Sequence, residues 1–203
     1  MAARLKRPFG GRRLVVDISA FQRGAHPSTR SDWLRALEAG QLYKTPVLQL
    51  EVLYSARNAN EYAELKDELE AFHSLPLTPI AVEEALTAQE ELAAQHAGLH
   101  RIAHADYLIA AIARQNDLAV LHYDQDFDRI AQHSLLDFES VWIAPAGSLD
   151  AQGSDSLRGH RRAVAQALGQ FTGERGREVL DRVLDLLESE LRANDLPLPR
   201  RPC

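Results

Sequence analysis

The sequence of 203 residues contains a single cysteine, Cys203, which is its last residue. One cysteine excludes a disulfide framework and a cysteine-based zinc site within one chain, and it argues against redox chemistry. No apolar run approaches the roughly 20 residues that a membrane span needs, and the basic start, residues 1–13, lacks the apolar core of a secretory signal. We therefore expect a cytoplasmic protein that does not bind membranes.

An excess of positive charge is also missing. Lys and Arg number 23 against 29 Asp and Glu, which gives a formal net charge of −6. This balance disfavours a protein that coats polyanions through a general basic surface. It is compatible with a nuclease, because metal ions can offset a local carboxylate cluster while basic residues elsewhere hold the phosphates.

Short apolar runs and helix-like periodic segments alternate along most of the chain. The predicted strands are residues 14–21, 42–45, 75–80, 119–121 and 139–145. The predicted helices are residues 32–40, 47–57, 61–73, 82–95 and 106–114, and one that ends at His133. This alternation with short turns predicts a doubly wound α/β sandwich around a parallel sheet, in one domain over residues 14–147.

The character of the chain changes after Gly147. Residues 148–160 are rich in Gly, Ser and Asp, which predicts a linker. Residues 161–203 predict a helical C-terminal extension, and its segment 174–193 carries an apolar face. That face would be buried against the main domain, a second copy or a partner protein, and the sequence does not choose among them.

Carboxylates interrupt the apolar segments at three points. Asp17 lies in the first predicted strand, Glu51 in a helix that is apolar on nearly every side, and Asp106 at the start of another apolar helix. Each has a purely structural alternative, namely helix capping for the two aspartates and an ion pair with Arg57 or another base for Glu51. Buried charge without such a partner would be unfavourable, so these positions need an explanation.

The densest group of acids follows the strand at residues 119–121. In AVLHYDQDFDRIA, Asp124, Asp126 and Asp128 gather where a buried strand meets a helix, and one helix N-terminus does not need three acids. We assign Asp128 to helix capping or to the surface. Parallel strands bring their carboxyl ends together, so we expect the other acids to share a divalent cation there, and hard oxygen ligands favour Mg²⁺ or Mn²⁺.

A second group of possible ligands consists of histidines. His96, His100 and His104 recur every four residues and could lie along one helix face. Gly98 weakens that helix, and zinc would need a fourth ligand on a continuous backbone. Solvent-facing or hydrogen-bonding histidines are therefore the favoured interpretation.

Four segments resemble, in order, the acidic motifs of PIN-domain ribonucleases, in particular the VapC-type toxins of type II toxin–antitoxin systems. These segments are VVDISAF, LQLEVLYSAR, ADYLIAAIA and LHYDQDFDRIA. The resemblance covers about residues 14–145 and implies a three-layer α/β/α sandwich. One departure is Ile18, where such toxins usually have threonine, and we expect little loss because that side chain is not an acid.

The resemblance also implies roles for individual residues. The catalytic residues would be Asp17, Glu51, Asp106 and Asp124. The same four carboxylates, with Asp126 as an auxiliary acid, would bind Mg²⁺ or Mn²⁺, and Ser19 would position the metal shell or a water.

The implied function is a Mg²⁺-dependent endoribonuclease that acts on RNA, forms a homodimer and is neutralised by a cognate VapB-type antitoxin. The alternative from another class is a catalytically silent PIN-like module that binds RNA or a partner. Clustered carboxylates repel phosphate, so their presence favours the enzyme. Among enzymes, a DNA-directed nuclease is the nearest competitor, and an aspartyl phosphatase is disfavoured because no second acid lies two residues after Asp17.

Overall fold

The structure of the protein is a computed structural model that describes residues 7–149. Within this range, five parallel strands form one sheet in the order β3-β2-β1-β4-β5. The strands are β1 (Leu14–Val16), β2 (Leu42–Lys44), β3 (His73–Ser74), β4 (Ala119–His122) and β5 (Ser140–Trp142). The helices are α1 (Ile18–Phe21), α2 (Arg30–Glu38), α3 (Pro46–Tyr54), α4 (Ala59–Leu69), α5 (Pro79–Gln95), α6 (His104–Gln115) and α7 (Gln125–His133).

The centre of the sheet is the pair β1 and β4, whose register aligns Leu14 with Ala119 and Val16 with Leu121. From β1 the chain runs outward through β2 to β3 and then returns to the other side of β1 as β4. The order of strands therefore reverses between β1 and β4. Open parallel sheets bind ligands at the carboxyl ends of the strands at such a reversal point.

Both faces of the sheet are covered by helices, as a doubly wound fold requires. Leu14 and Val16 pack into one cluster with Phe21 and Trp33, on the side of α1 to α4. Val15, which points to the opposite face, packs with α6 and α7. Alternate residues of β1 thus enter two different cores, which is why β1 is apolar throughout. The predicted three-layer α/β/α sandwich is confirmed.

Local sequence signals account for several helix starts. Thr45 precedes Pro46, and its Oγ1 accepts a hydrogen bond from the backbone N–H of Leu48 at 3.2 Å. The pair Thr78 and Pro79 repeats this arrangement at the start of α5. A hydroxyl cap followed by proline is favourable at both sites, because proline lacks the N–H that would need a partner there.

Two of the predicted strands are wrong in extent or position. The strand predicted over residues 14–21 ends at Val16, because Asp17 caps α1 and the following apolar residues continue as helix. The strand predicted over residues 75–80 is instead β3 at His73–Ser74, since Pro79 already begins α5. The predicted helix 61–73 ends at Leu69, before that strand.

The histidine segment does not form one helix. Helix α5 ends at Gln95, Gly98 adopts a positive φ of 88°, and His104 begins a new helix, α6. Within residues 7–149, no grouping of three potential metal ligands includes these histidines. The breaking effect of Gly98 explains why the four-residue spacing does not create a shared face.

Parts of the basic N-terminal segment, residues 1–13, and of the predicted linker pack against the domain. Pro8–Gly11 form a short 3-10 helix, and Phe9 contacts the core. At the other end, Leu149 is buried, and its backbone N–H donates to the Tyr123 hydroxyl at 2.7 Å. The rest of the predicted linker and the predicted helical extension, 161–203, lie outside the described residues. Among helices in the described range, none has the length and apolar character to cross a membrane.

Candidate metal centre

Asp17 follows β1 at the point where the sheet order reverses. It is only 2% exposed, and it caps α1 with an extended backbone conformation. Its Oδ2 accepts hydrogen bonds from the backbone N–H of Ser19, at 2.7 Å, and from the Ser19 hydroxyl. Its Oδ1 is buried and has no hydrogen-bond partner within the described part of the chain. The capping role therefore uses one oxygen and leaves the other available to a ligand.

Ser19 joins the first segment of the site to the last. While its hydroxyl donates to Asp17, the same oxygen accepts from the backbone N–H of Tyr123 at 2.8 Å. Tyr123 directly precedes Asp124. Ser19 thus ties the loop after β1 to the loop after β4 and restrains Asp17 and Asp124 relative to each other.

Glu51 comes from α3, which packs against α1 and α6. Its Oε2 is buried, and none of the described residues forms a hydrogen bond with it. The suggested ion pair with Arg57 is not formed; Arg57 instead pairs with Glu61, with Nε and Oε2 2.9 Å apart. Glu51 also takes part in none of the other ion pairs seen within residues 7–149, which disfavours the structural alternative for it.

Asp106 lies in the first turn of α6 and is 8% exposed. The first-turn position favours a carboxylate through the helix dipole, in agreement with the structural alternative. The helix dipole does not explain why Asp106 lies so close to other acids. Oxygens of Asp106, Asp124 and Asp126 all lie within 4.8 Å of one another, a spacing at which three carboxylates can hold one metal ion.

Asp124 and Asp126 both belong to the start of α7. Asp124 caps that helix, and its Oδ1 accepts from the backbone N–H of Asp126 at 3.0 Å. Asp126 lies in the first turn, and its Oδ1 accepts from Arg129 Nη1 at 2.6 Å. The charge of Asp126 is thus partly neutralised by Arg129, one helical turn away. Asp106, in contrast, takes part in none of the ion pairs found within residues 7–149.

The five carboxylates form one electrostatic unit, which we call the acid cluster. Its members are Asp17, Glu51, Asp106, Asp124 and Asp126. Burial raises the pKa of Asp106 to about 8, with further contributions from all four other acids. Burial, followed by the charge of Asp17, raises the pKa of Glu51 to about 7. Burial also raises the pKa of Asp17 and of Asp126.

This arrangement fits a divalent cation. Two buried carboxylate oxygens, Asp17 Oδ1 and Glu51 Oε2, accept no hydrogen bond of normal geometry from residues 7–149, and buried acceptors are normally paired. The atoms that could bind a metal here are all carboxylate oxygens, the ligand type that Mg²⁺ and Mn²⁺ prefer. A bound cation would offset the mutual repulsion of the acids and lower their pKa values.

The prediction for Asp128 is wrong. It neither caps α7 nor points freely to solvent, because Oδ1 accepts from the Ser140 hydroxyl and Oδ2 accepts from Trp142 Nε1 at 2.9 Å. Asp128 therefore fastens α7 to β5. Every third or fourth residue of a helix shares a face, so Asp128 turns away from Asp126 and toward the sheet.

Sequence reasoning missed His122 and Arg129. His122 ends β4 with no exposed surface, and burial lowers the pKa of its imidazole to about 4. A polar residue at the end of an otherwise apolar strand, two residues before an acid, was the available signal. Arg129 was recognisable only as a base three residues after Asp126, a spacing common on helix surfaces.

The fold and the acid cluster define a class of protein. The family model for the PIN domain matches residues 14–132, which is more than half of the chain, and the chain therefore belongs to the PIN-domain family. This confirms the resemblance inferred from the four acidic segments.

Two curated relatives come from Mycobacterium tuberculosis. The chain is 38% identical over 136 residues to ribonuclease VapC18, a match that spans 66% of this chain and 97% of the relative. It is also 38% identical over 136 residues to ribonuclease VapC51, spanning 67% of this chain and 96% of the relative. The similarity to both relatives thus takes in almost their entire length and about two thirds of this chain.

A solved structure shares the fold. The crystal structure of DNA-bound VapBC from Salmonella typhimurium aligns with a TM-score of 0.53 and 14% identity, over 65% of this chain and 98% of that chain. At this identity the likeness shows the fold alone. It supports the order of strands and helices described above.

Proposed function

We propose that the protein is a divalent-metal-dependent endoribonuclease and the toxin of a type II toxin–antitoxin system. The observation that carries this proposal is the acid cluster, in which five carboxylates from four separate segments converge where the sheet order reverses. The relatives named ribonuclease VapC match along nearly their whole length, which supports RNA as the substrate. A purely structural role for these acids is disfavoured by their unpaired buried oxygens.

In this proposal Asp17, Glu51, Asp106 and Asp124 hold the metal and form the catalytic set, and Asp126 is an auxiliary ligand. Mg²⁺ or Mn²⁺, when bound, would polarise the phosphodiester and lower the pKa of an attacking water. The residues of the chain fix the acids in space. Ser19 holds Asp17 Oδ2, so that Oδ1 is the oxygen available to a cation.

Arg23 supplies positive charge next to the acid cluster. Its Nη1 donates to the backbone carbonyl of Ser19 at 3.1 Å, and its guanidinium carbon lies 4.2 Å from the centroid of the Tyr123 ring. Both contacts place the cation beside the two loops that carry Asp17 and Asp124. We propose that it contacts an RNA phosphate, since guanidinium groups recognise phosphate oxygens through paired hydrogen bonds.

The proposed partners are RNA, a VapB-type antitoxin and a second copy of the chain. The Salmonella protein of the same fold was crystallised as a VapBC complex, which supports an antitoxin partner for this chain. The homodimer has a suitable surface on α5, where Ile80, Val82 and Leu86 are 38% to 61% exposed. Light scattering on Leu86→Glu tests it, and the proposal expects a monomer while the wild type is a dimer.

The function is tested by a cleavage assay with matched RNA and DNA oligonucleotides in Mg²⁺ and then in EDTA. The wild type should cut RNA only with the metal, and Asp106→Asn should be inactive. Asp67→Asn is the matched control because it removes an exposed acid from α4 and should remain active. RNA binding without cleavage would favour the catalytically silent module, and preferential DNA cleavage would favour the DNA-directed nuclease.

A further inference from the structure

His122 lies directly beneath the loop that presents Asp124. It is the last residue of β4, it is completely buried, and the chain turns immediately after it into Tyr123 and Asp124. Neither the family resemblance nor the chemistry of the acid cluster requires a histidine here. The contacts of both ring nitrogens show what it does.

The hydrogen bonds define the protonation of the ring. The backbone N–H of Asp124 can only donate, so His122 Nδ1, 3.1 Å away, accepts and carries no proton. The ring proton is therefore on Nε2, which faces the Ser140 oxygen at 2.6 Å. The Ser140 hydroxyl in turn donates to Asp128, which also accepts from Trp142 Nε1. We call His122, Ser140, Asp128 and Trp142 the β4–β5 network.

Packing restricts the ring as well. The imidazole lies 5.0 Å, between ring centroids, from Phe127 on α7 and from Trp142 on β5. Rotation of the ring would break both hydrogen bonds and meet these two aromatic groups. His122 is therefore held in one orientation by the sheet and by α7 together.

The loop above His122 has two successive backbone donors that need acceptors. Ser19 Oγ accepts from Tyr123 N–H at 2.8 Å, and His122 Nδ1 accepts from Asp124 N–H. Without these two side chains, both donors would lose their partners in a partly buried loop. Ser19 thus fixes the position of the loop backbone relative to Asp17, and His122 fixes it relative to β4 and β5.

We propose that His122 is a positioning residue, which fixes the backbone of Asp124 through Nδ1 and so sets the direction of the Asp124 carboxylate in the acid cluster. The inference rests on the proposed function, since it assigns Asp124 to metal binding. His122 is not itself a ligand or a proton carrier for the reaction, because both ring nitrogens are bonded within the protein and the ring is buried.

Three substitutions of His122 distinguish the effects of its two hydrogen bonds, one to Asp124 and one to Ser140. In His122→Asn the amide oxygen can take the place of Nδ1 and accept from Asp124 N–H. In His122→Gln the longer amide reaches toward Ser140 and leaves that N–H without its acceptor. In His122→Phe the ring packing is kept and both hydrogen bonds are lost. Ser140→Ala cuts the network on the far side of the ring and serves as the matched control.

The experiment measures Mn²⁺ affinity of the full chain by calorimetry, together with kcat and KM for an RNA oligonucleotide. Residues that orient metal ligands typically change metal affinity or activity by 10–100-fold, so His122→Phe and His122→Gln should weaken Mn²⁺ binding by about tenfold or more. Their kcat should fall while KM for RNA stays near the wild-type value. His122→Asn should retain Mn²⁺ affinity within about threefold, and Ser140→Ala should mainly lower the melting temperature.

Equal losses of Mn²⁺ affinity in His122→Asn and His122→Gln would overturn the proposal, because a general packing role predicts no difference between them. If His122→Phe does not fold, this pair of amides still decides the question. A wild-type protein that binds no Mn²⁺ would instead refute the proposed function and the inference with it. Mn²⁺ binding that is the same in the wild type and in all three variants would refute the inference alone.

Discussion

Two neighbouring groups of polar side chains at the carboxyl edge of the sheet are built on opposite principles. In the β4–β5 network, each oxygen of Asp128 accepts from its own donor, and each ring nitrogen of His122 has a partner. In the acid cluster, Asp17 Oδ1 and Glu51 Oε2 are buried and accept no hydrogen bond from the residues that the structure describes. The network stabilises the fold, whereas the acid cluster lowers its stability unless a cation is present.

This difference separates the carboxylates that stabilise the fold from those proposed to bind a metal better than residue type does. Asp126 and Asp128 are two residues apart on α7, yet one belongs to the cluster and the other is satisfied by β5. Functional sites commonly retain unfavourable charge because ligand binding offsets it. Removing an acid from each group should therefore change stability in opposite directions, and the following predictions test that contrast.

The largest effect is expected for Asp106→Asn. RNA cleavage should fall by at least about 100-fold, since changes behind the ligands of a metal already lower activity by 10–100-fold. In EDTA the melting temperature should stay equal or rise by several degrees, because a buried charge amid like charges is removed. Asp17→Asn should behave similarly. Marked unfolding of both variants would show that these acids serve mainly as helix caps.

The stability of the metal-free protein should depend on pH because of the same repulsion between the acids. The pKa values of Asp106 and Glu51 are raised in the fold to about 8 and about 7, so the folded state keeps protons that the unfolded state releases. The contribution to stability is complete below the ordinary carboxyl pKa and is lost as the pH rises through 7 to 8. The free energy of unfolding in EDTA, from urea titrations, should fall by a few kcal/mol between about pH 5 and about pH 9.

Saturating Mg²⁺ should reduce that decline, because the cation replaces the protons on the carboxylates. A metal-free protein whose stability rises over the same range would contradict the account of the cluster. Thermal scans in paired buffers with Mg²⁺ and with EDTA provide the control.

Substitution of Asp128 should have a smaller effect of opposite sign. Asp128→Ala removes the acceptor of Ser140 and Trp142, and the loss of hydrogen bonds to a charged group lowers stability by about 1–3 kcal/mol. Chemical denaturation of the variant measures this loss. An increase in stability would erase the contrast between the network and the acid cluster.

The smallest effect is expected at the rim of the cluster. Arg129→Ala releases Asp126 from an ion pair whose side chains are 46% and 21% exposed, an interaction worth about 1 kcal/mol or less. Mn²⁺ affinity, measured by calorimetry, should change by no more than about threefold and toward tighter binding. A loss of affinity of tenfold or more would show that Arg129 helps to assemble the site.

The fold was largely predictable because its central strands, β1 and β4, are almost entirely apolar and buried, and its helices begin with recognisable signals such as Thr45–Pro46. The position of Asp17 and Asp124 at one edge of the sheet was predictable for a related reason, since they follow two adjacent parallel strands whose carboxyl ends meet there. The end of β1 was not, because Asp17 is flanked on both sides by apolar residues and only its capping geometry marks the start of α1.

The β4–β5 network was beyond sequence reasoning. The partners of Asp128 lie 12 and 14 residues away on β5, and nothing in local periodicity indicates which of three neighbouring acids turns toward that strand. Long-range packing decides it, because it brings Ser140 and Trp142 to Asp128. The partner of Arg57 is decided locally instead, since Arg57 pairs with Glu61, four residues further along the chain, and not with Glu51.

The most direct test of the central claim is anomalous diffraction from crystals grown with MnCl₂. The account predicts a manganese peak within metal–ligand distance, about 2.0–2.4 Å, of carboxylate oxygens from Asp17, Asp106 and Asp124, and no such peak in Asp106→Asn crystals. A protein that cleaves RNA in Mn²⁺ while its crystals show manganese only away from these acids would contradict it.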